Sequence, residues 1–279
     1  MSFRIRLARS RPIRLLGNVA MKCWAFSGAY ILLCFFLYWL YGGILAFVLL
    51  FSILLEKEQR MNYLCMYLRF RLQNIVGLYH NIQCNILMLE YRGYGLSQGT
   101  PSEEGLYMDA RTGIDYLFSR TDINTNEIIV FGRSLGGAVA IDLATKEENL
   151  QRIRCLILEN TFTSIPDMAA LFVGSKFLQY LPLFVYKNKY LSILKVRSVT
   201  VPTLFISGLA DTLVPPRMMQ DLYKNCRSTY KRILPIVDGT HNETWCQQNY
   251  YQNINAFLTE LRENPPPRVT SSHWQIDNI

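Results

Sequence analysis

The stretch Gly132-Arg133-Ser134-Leu135-Gly136-Gly137 decides how this chain is interpreted. It follows the apolar run Ile128–Phe131 and opens a run with helical character, Leu135–Ala144. A strand, a sharp turn and a helix in this order are the context that a nucleophile elbow of the form G-x-S-x-G requires. The pattern therefore favours a nucleophilic Ser134 over an incidental serine in a glycine-rich turn.

The neighbours of this serine also fit an elbow. A tight turn holds its central residue in a strained backbone conformation, so close neighbours must lack side chains, as Gly132 and Gly136 do. The helix behind the turn points the unpaired N–H groups of its first turn at the reacting centre. The backbone N–H of Leu135 is therefore predicted to stabilise an oxyanion.

Two later residues follow apolar strand patterns in the order that such a site needs. The run Val201–Gly208 is typical of a buried strand, and Asp211 follows it. A second apolar run, 232–237, leads through a short turn to His241. The chain order Ser, Asp, His is the one expected for a nucleophile elbow on a parallel sheet. The sequence therefore predicts that Ser134, Asp211 and His241 form a triad.

Few residues compete for these roles. The chain has three histidines, and the other two are His80, ahead of the elbow, and His273, in a polar tail. The rival to Asp211 as the orienting acid is Glu159, which ends the apolar run 155–158.

The apolar runs predict an α/β fold with a mostly parallel sheet and flanking helices. Runs near residues 85–91, 128–131, 154–158, 202–207 and 232–237 alternate with helical stretches. Ser102 precedes two acidic residues and is a candidate N-cap for a helix through Leu117. The alternation ends before Pro265, so one domain is predicted over residues 71–263, with a disordered tail over residues 264–279.

Several blocks in order resemble the α/β-hydrolases, and most closely the single-pass membrane members of that family. The blocks are Tyr91–Gly95, Ser102–Tyr107, Phe131–Ile141, Glu159–Phe162, Tyr186–Lys189, Phe205–Gly208 and Asp238–Asn242. The resemblance covers roughly residues 71–262 and implies nucleophile, acid and base at Ser134, Asp211 and His241. It also implies a cap over the site at about residues 167–195, and an apolar cap suits acyl or lipid-like substrates. A helix pair that simply covers the sheet is the alternative for this segment.

The chain departs from the family before Arg71. Members carry three strands ahead of the Tyr-Arg-Gly-Tyr-Gly block, and a His-Gly-Asn loop that supplies a second oxyanion amide. No His-Gly pair occurs in this sequence. The interval from residue 56 to residue 84 is too short for three strands, their connections and a helix. The chain is therefore predicted to be a shortened form in which residues 56–70 are a linker of unclear structure.

A membrane anchor is predicted at the amino-terminal end. Residues 23–55 contain no charged side chain, and a tilted transmembrane helix needs about 20 apolar residues. Gly42-Gly43 divides the run, so a re-entrant hairpin stays open as an alternative. A cleaved signal peptide is disfavoured because the run is too long for its apolar region.

Charge predicts the orientation of this anchor. Residues 1–22 carry six basic and no acidic side chains, which supply six of the net charge of +8. The positive-inside rule places this tail in the cytoplasm and the large domain in the lumen or outside, as in a single-pass type II protein. The only N-glycosylation sequon, Asn242-Glu243-Thr244, would then be available for modification. The basic tail fits anionic lipid headgroups, and nucleic acid is not an expected partner.

Cysteine usage indicates no metal site, because none of the seven cysteines shows metal-binding spacing. No metal or other cofactor is expected, although a disulfide between Cys226 and Cys246 stays open. The expected protein is a membrane-anchored serine hydrolase that cleaves an ester, thioester or amide. Its partners would be the lipid bilayer and an acyl or lipid-like small molecule or an acylated protein. The alternative is a non-catalytic protein of the same fold that acts as a binding or regulatory partner.

Overall fold

A computed structural model describes residues 72–173 and 182–266. The predicted basic tail 1–22, membrane segment 23–55 and linker 56–70 lie outside the described residues. So do residues 174–181 of the predicted cap and residues 267–279 of the predicted tail. Within the described residues, no helix combines the length and the apolar character needed to span a bilayer.

Helices and strands alternate along most of the described chain. Residues 72–82 are helical and are called α1. The later elements are α2 Glu103–Ser119, β1 Ile129–Arg133, α3 Leu135–Ala144, β2 Cys155–Glu159, α4 Ile165–Val173, α5 Ser192–Lys195, β3 Thr203–Gly208, α6 Pro216–Asn225, β4 Lys231–Ile236 and α7 Tyr250–Glu263. Four of the five predicted strands are present, and all four lie within one or two residues of the apolar runs that predicted them.

The four strands form one parallel sheet in the order β1-β2-β3-β4. Gly132 is paired with Leu158, Leu158 with Phe205, and Phe205 with Ile233. The predicted parallel sheet is therefore confirmed. Because parallel strands end at the same edge, the residues that follow all four strands meet there, and this edge carries the candidate site.

The two central strands, β2 and β3, are buried on both faces. Their side chains point alternately to two apolar clusters, which is why apolar residues follow one another in both strands without alternating with exposed polar ones. One cluster contains Leu156, Leu158 and Phe205 with residues of α2, α3 and α6. The other contains Ile157, Leu204 and Ile206 with residues of α7 and Ile82 of α1. Full burial of such side chains stabilises the fold by about 1.5–3 kcal/mol each.

The strand predicted near residues 85–91 is absent. Residues 83–91 contain neither helix nor strand, and Leu87, Met88 and Leu89 are exposed by 48%, 55% and 41%. Within the described residues, β1 ends the sheet, and no strand pairs with its outer side. An apolar segment without a neighbouring strand has no ladder of hydrogen bonds to hold it extended, so the prediction from local composition was wrong.

The helix termini follow the local sequence closely. Ser102 is the N-cap of α2, and its hydroxyl accepts a hydrogen bond from the N–H of Gly105 at 3.1 Å, as predicted. The helix continues two residues beyond Leu117. At the other end of the domain, α7 ends at Glu263, and its C-cap residue Asn264 precedes the prolines. Cys226 is buried, Cys246 is exposed and both are free thiols, so the disulfide that was left open is not formed.

Candidate active site

Ser134 lies at a sharp turn between β1 and α3. Its backbone angles are φ 52° and ψ −120°, a conformation that non-glycine residues rarely adopt. Two hydrogen bonds hold this conformation in place. The N–H of Ser134 donates to the carbonyl of Glu159 at 2.9 Å, and its own carbonyl accepts from Gly137 at 2.9 Å. The strand, strained turn and helix that the sequence predicted are therefore all present.

Close packing around the turn involves a different pair of glycines from the one expected. A Cβ on Gly132 would lie 2.5 Å from the carbonyl oxygen of Gly136, so Gly132 is required as predicted. A Cβ on Gly136 would meet only the Tyr91 hydroxyl, at 3.8 Å, which is an ordinary contact. The second crowded position is Gly137, where a Cβ would lie 2.5 Å from the Cβ of Thr161. The prediction that Gly136 has no room for a side chain was wrong. The residue of α3 that lies closest to the end of β2 is Gly137, which packs against Thr161.

Asp211 follows β3 and is held by its own loop. One carboxylate oxygen, Oδ1, accepts the N–H groups of Leu213 at 2.9 Å and Val214 at 2.8 Å. The other oxygen, Oδ2, lies 2.7 Å from Nδ1 of His241. The Asp211 side chain is 1% exposed, so this carboxylate faces the imidazole away from competing water.

His241 comes from the loop after β4 and bridges the acid and the serine. While Nδ1 faces Asp211, Nε2 lies 3.0 Å from Oγ of Ser134. A carboxylate accepts hydrogen bonds only, so the proton of the neutral imidazole lies on Nδ1 and leaves Nε2 free to accept from the serine hydroxyl. The structure thus brings together the three residues that sequence order singled out, in a geometry that can transfer a proton from Ser134.

The rival acid does not contact the imidazole. The side chain of Glu159 is fully buried, and its Oε2 accepts a hydrogen bond from the hydroxyl of Tyr250. Burial is the largest influence on this carboxyl and raises its pKa above the ordinary value. His80 lies in α1, and His273 falls outside the described residues.

The backbone N–H of Leu135 is the first of α3 and has no acceptor within the helix. It therefore remains free for an oxyanion beside Ser134. On the outer side of the turn, the guanidinium of Arg133 donates to the backbone carbonyl and to Oδ1 of Asn242, both at 3.4 Å. Asn242 is exposed, and the residue after it, Glu243, occupies the N-cap position of the 3₁₀ turn Thr244–Cys246.

Sequence reasoning missed the polar residues directly behind the triad. Asn160 and Thr161 follow β2, are almost fully buried and make hydrogen bonds to the loops that carry all three triad residues. Their only signal in the sequence is a polar pair directly after an apolar strand, and this pattern also fits an ordinary loop. In the part of the chain that the structure describes, no group of three or more His, Cys, Asp or Glu residues is arranged to hold a metal ion.

Comparison with known proteins supports the hydrolase part of the resemblance carried by the blocks around the triad. Residues 86–242 match the family described as serine hydrolase (FSH1). The chain is 41% identical over 201 residues to the alpha/beta hydrolase domain-containing protein WAV2 of Arabidopsis thaliana, covering 67% of this chain and 65% of the relative. It is 39% identical over 190 residues to the protein bem46 of Schizosaccharomyces pombe, covering 67% of this chain and 62% of the relative.

Two further similarities are to a protein named as a membrane protein and to a solved esterase structure. A Saccharomyces cerevisiae protein named as an uncharacterized membrane protein is 37% identical over 185 residues, 65% of this chain and 63% of that protein. The Pyrococcus furiosus esterase Pf2001 superimposes with a TM-score of 0.54 at 18% identity, over 67% of this chain and 75% of that one. This likeness shows an α/β-hydrolase fold. The chain spans less than two thirds of the length of the curated relatives that it matches here.

Proposed function

This chain belongs to the serine hydrolase (FSH1) family, and we propose that it is a membrane-anchored serine hydrolase that cleaves an ester, thioester or amide bond. The observation that carries the proposal is the unbroken line of contacts from Asp211 through His241 to Ser134. Each side chain in that line comes from a different strand end, and the line joins an acid, a base and a nucleophile in the order that the first step requires.

The first half of the reaction forms an acyl-enzyme. Nε2 of His241 takes the proton of the Ser134 hydroxyl while Oγ attacks the carbonyl carbon of the substrate. The carbonyl oxygen gains negative charge and is stabilised by the N–H of Leu135. As the tetrahedral intermediate collapses, the imidazolium returns its proton to the leaving alcohol, thiol or amine. Asp211 stabilises the imidazolium through Nδ1 and keeps the ring oriented.

The second half repeats the chemistry with water. His241 removes a proton from a water molecule, whose oxygen attacks the carbonyl carbon of the ester on Ser134. Collapse of this second intermediate breaks the bond to Oγ, and Oγ recovers its proton from the imidazolium. The products are the free acid and an unchanged serine, and none of these steps needs a metal or other cofactor.

An acyl or lipid-like substrate, either a small molecule or an acylated protein, fits the segment proposed as a cap. Phe172 and Phe184, on either side of the undescribed residues 174–181, are exposed by 67% and 84%. Large apolar side chains held in water are available to bind an apolar ligand. We therefore favour acyl chains over polar substrates.

Membrane anchoring is proposed through residues 23–55, with the basic tail in the cytoplasm and the hydrolase domain in the lumen or outside. In this orientation the bilayer is a permanent partner of the protein. Asn242 then becomes a glycosylation site, and its exposure in the folded domain supports this assignment.

A non-catalytic role is the second candidate function, and the edge of the sheet is the observation that favours it. Within the described residues no strand lies outside β1, which carries Ser134. The chain also lacks the His-Gly pair that supplies a second oxyanion amide in the family. Loss of one such donor lowers the rate by about 10²- to 10³-fold. A binding or regulatory protein would tolerate that loss.

Labelling with a fluorophosphonate probe tests the proposal, because the probe reacts only with an activated serine. We expect the full chain, purified in detergent, to be labelled and Ser134→Ala to abolish the signal. His241→Ala should nearly abolish it, since a serine hydroxyl is a weak nucleophile without its base. Ser119→Ala, at the end of α2, is the matched control and should be labelled like the wild type.

The opposite outcome is equally clear. If the folded wild-type chain is not labelled, while a full-length relative reacts under the same conditions, the enzymatic proposal fails and the non-catalytic one stands. Circular dichroism and a cooperative thermal transition establish that each variant is folded.

A further inference from the structure

Asn160 occupies an unusual position directly behind the triad. It is the first residue after β2, is 1% exposed and has a φ of 44° in the left-handed region. Asparagine tolerates this backbone conformation better than most residues. A buried carboxamide stabilises a fold only where its donors and acceptor are satisfied, so the partners of Asn160 indicate its role.

The carboxamide joins two loops that come from different strands. Its Oδ1 accepts the N–H of Gly208 at 2.8 Å, at the end of β3 and three residues before Asp211. Its Nδ2 donates to the carbonyl of Thr240 at 3.1 Å and to Oγ1 of Thr244 at 2.9 Å, and the carbonyl of His241 lies 3.4 Å away. One side chain therefore connects the strand that leads to the acid with the loop that carries the base.

Only a carboxamide on a side chain of this length supplies both an acceptor for the N–H of Gly208 and a donor for the carbonyl of Thr240. Gly208 offers an N–H and needs an acceptor, whereas Thr240 offers a carbonyl and needs a donor. An aspartate here would keep the acceptor but place a buried negative charge against two carbonyl oxygens. An alanine would leave the N–H of Gly208 and the carbonyl of Thr240 without these partners.

The same strand end also holds the nucleophile. The carbonyl of Glu159 accepts the N–H of Ser134 at 2.9 Å, and Oγ1 of Thr161 donates to the carbonyl of Ser134 at 2.6 Å. Residues 159–161 thus contact the backbone of all three triad segments. Within this group, the Asn160 side chain makes hydrogen bonds to the segments of both the acid and the base.

We propose that Asn160 is a positioning residue that holds the His241 loop against the Asp211 loop, so that the imidazole spans from the carboxylate to the serine hydroxyl. This inference rests on the proposed serine hydrolase function. The hydrogen bonds of the Asn160 side chain go to the backbone of Gly208, Thr240 and His241 and to the hydroxyl of Thr244, so it acts through the loop that carries the imidazole. A displacement of about 1 Å at a catalytic group lowers a rate by roughly 100-fold, so the expected effect is measurable.

The test measures kcat and KM for a soluble p-nitrophenyl ester with the full chain in detergent. Asn160→Ala and Asn160→Asp should lower kcat by about 10- to 100-fold with little change in KM. The control is Asn149→Ala, which removes another buried asparagine whose amide donates to the carbonyl of Leu143 at 3.1 Å, away from the site. It removes a comparable hydrogen bond and should leave kcat unchanged.

A spectroscopic measurement separates positioning from general loss of stability. A proton in the short contact between Nδ1 of His241 and Asp211 is expected to give a far-downfield ¹H NMR signal in the wild type. We expect the signal to broaden or disappear in Asn160→Ala and to persist in Asn149→Ala. If folded Asn160→Ala keeps both the wild-type kcat and this signal, Asn160 is not a positioning residue.

The remaining outcomes are also decisive. If the wild type shows no fluorophosphonate labelling, the hydrolase proposal fails, and the NMR signal alone decides whether Asn160 orders the imidazole. If neither Asn160 variant folds, Thr244→Val is measured instead, because it removes, in a side chain of the same shape, the hydroxyl that accepts from the Asn160 amide at 2.9 Å and donates to the carbonyl of Thr240 at 2.6 Å. A smaller loss of kcat in the same direction supports the inference, and wild-type kcat overturns it.

Discussion

Replacement of Asp211 by asparagine tests the triad most directly, because the structure determines how the new amide must be oriented. Oδ1 of Asp211 accepts two N–H groups, from Leu213 and Val214, so an oxygen must stay at that position. The amide nitrogen of Asp211→Asn therefore takes the place of Oδ2, which lies 2.7 Å from Nδ1 of His241. Two donors cannot share that contact, and Nδ1 has to become the acceptor.

The magnitude follows from the tautomer. With its proton moved to Nε2, His241 faces the Ser134 hydroxyl with a donor and cannot accept its proton. A change of this kind lowers kcat by about 10⁴-fold, or about 5 kcal/mol of transition-state stabilisation. Flipping the amide would restore the tautomer but would leave two buried N–H groups without an acceptor. Each such group costs about 1–3 kcal/mol, so the flip does not rescue the rate.

Burst kinetics with a p-nitrophenyl ester measure this change, because they separate acylation from turnover. Asp238→Asn is the control, since Asp238 is an exposed aspartate at the same edge of the sheet and loses the same charge. We expect acylation to be slowed strongly in Asp211→Asn and to be normal in Asp238→Asn. If folded Asp211→Asn acylates within about tenfold of the wild-type rate, His241 is not oriented by Asp211 in the reaction.

Two further predictions concern topology and pH. In mammalian cells the chain should shift in gel mobility on glycosidase treatment and Asn242→Gln should remove the shift, whereas a carboxyl terminus open to protease from the cytoplasm would reverse the proposed orientation. Because burial raises the pKa of Glu159 above its ordinary 4.5, the folded protein keeps a proton that the unfolded chain releases, and its free energy of unfolding should fall as pH rises above 4.5. The fall in melting temperature from about pH 5 to about pH 7 should therefore be smaller in Glu159→Gln, and an unchanged pH dependence would contradict a raised pKa.

The parts of the fold that could be predicted are those where two independent features of the local sequence indicate the same structure. The strands β2 and β3 are buried on both faces, so uninterrupted apolar runs bounded by turn residues located them. The helix α6, Pro216–Asn225, begins with a proline in its first turn, a position where the local sequence favours a helix start. The elbow and the order of Ser134, Asp211 and His241 were readable because this chemistry restricts residue type and chain order together.

The parts that could not be predicted depend on neighbours distant in sequence. Whether residues 85–91 form a strand is decided by a partner strand, and their own composition says nothing of that partner. The roles of Gly137 and Asn160 appear only when the end of β2 and the loops after β3 and β4 come together. A polar residue after a strand has many ordinary explanations, so the sequence alone gave no reason to choose these positions.

The residues that hold the triad in place lie on the β2 side of β1. The side of β1 on which the described residues form no further strand is the opposite one. Ser134, at the end of β1, is held by the backbone of Glu159 and the side chain of Thr161, both from the neighbouring strand end. Asp211 and His241 are held by contacts among β2, β3 and β4, so every observed link within the site is independent of an upstream strand. Among the residues that the structure describes, no strand pairs with the outer side of β1, the strand that carries the nucleophile. Whether the protein is an enzyme or a non-catalytic protein therefore depends on whether β1 keeps its hydrogen-bond register with β2. The contacts that assemble the triad all come from the β2 side of β1.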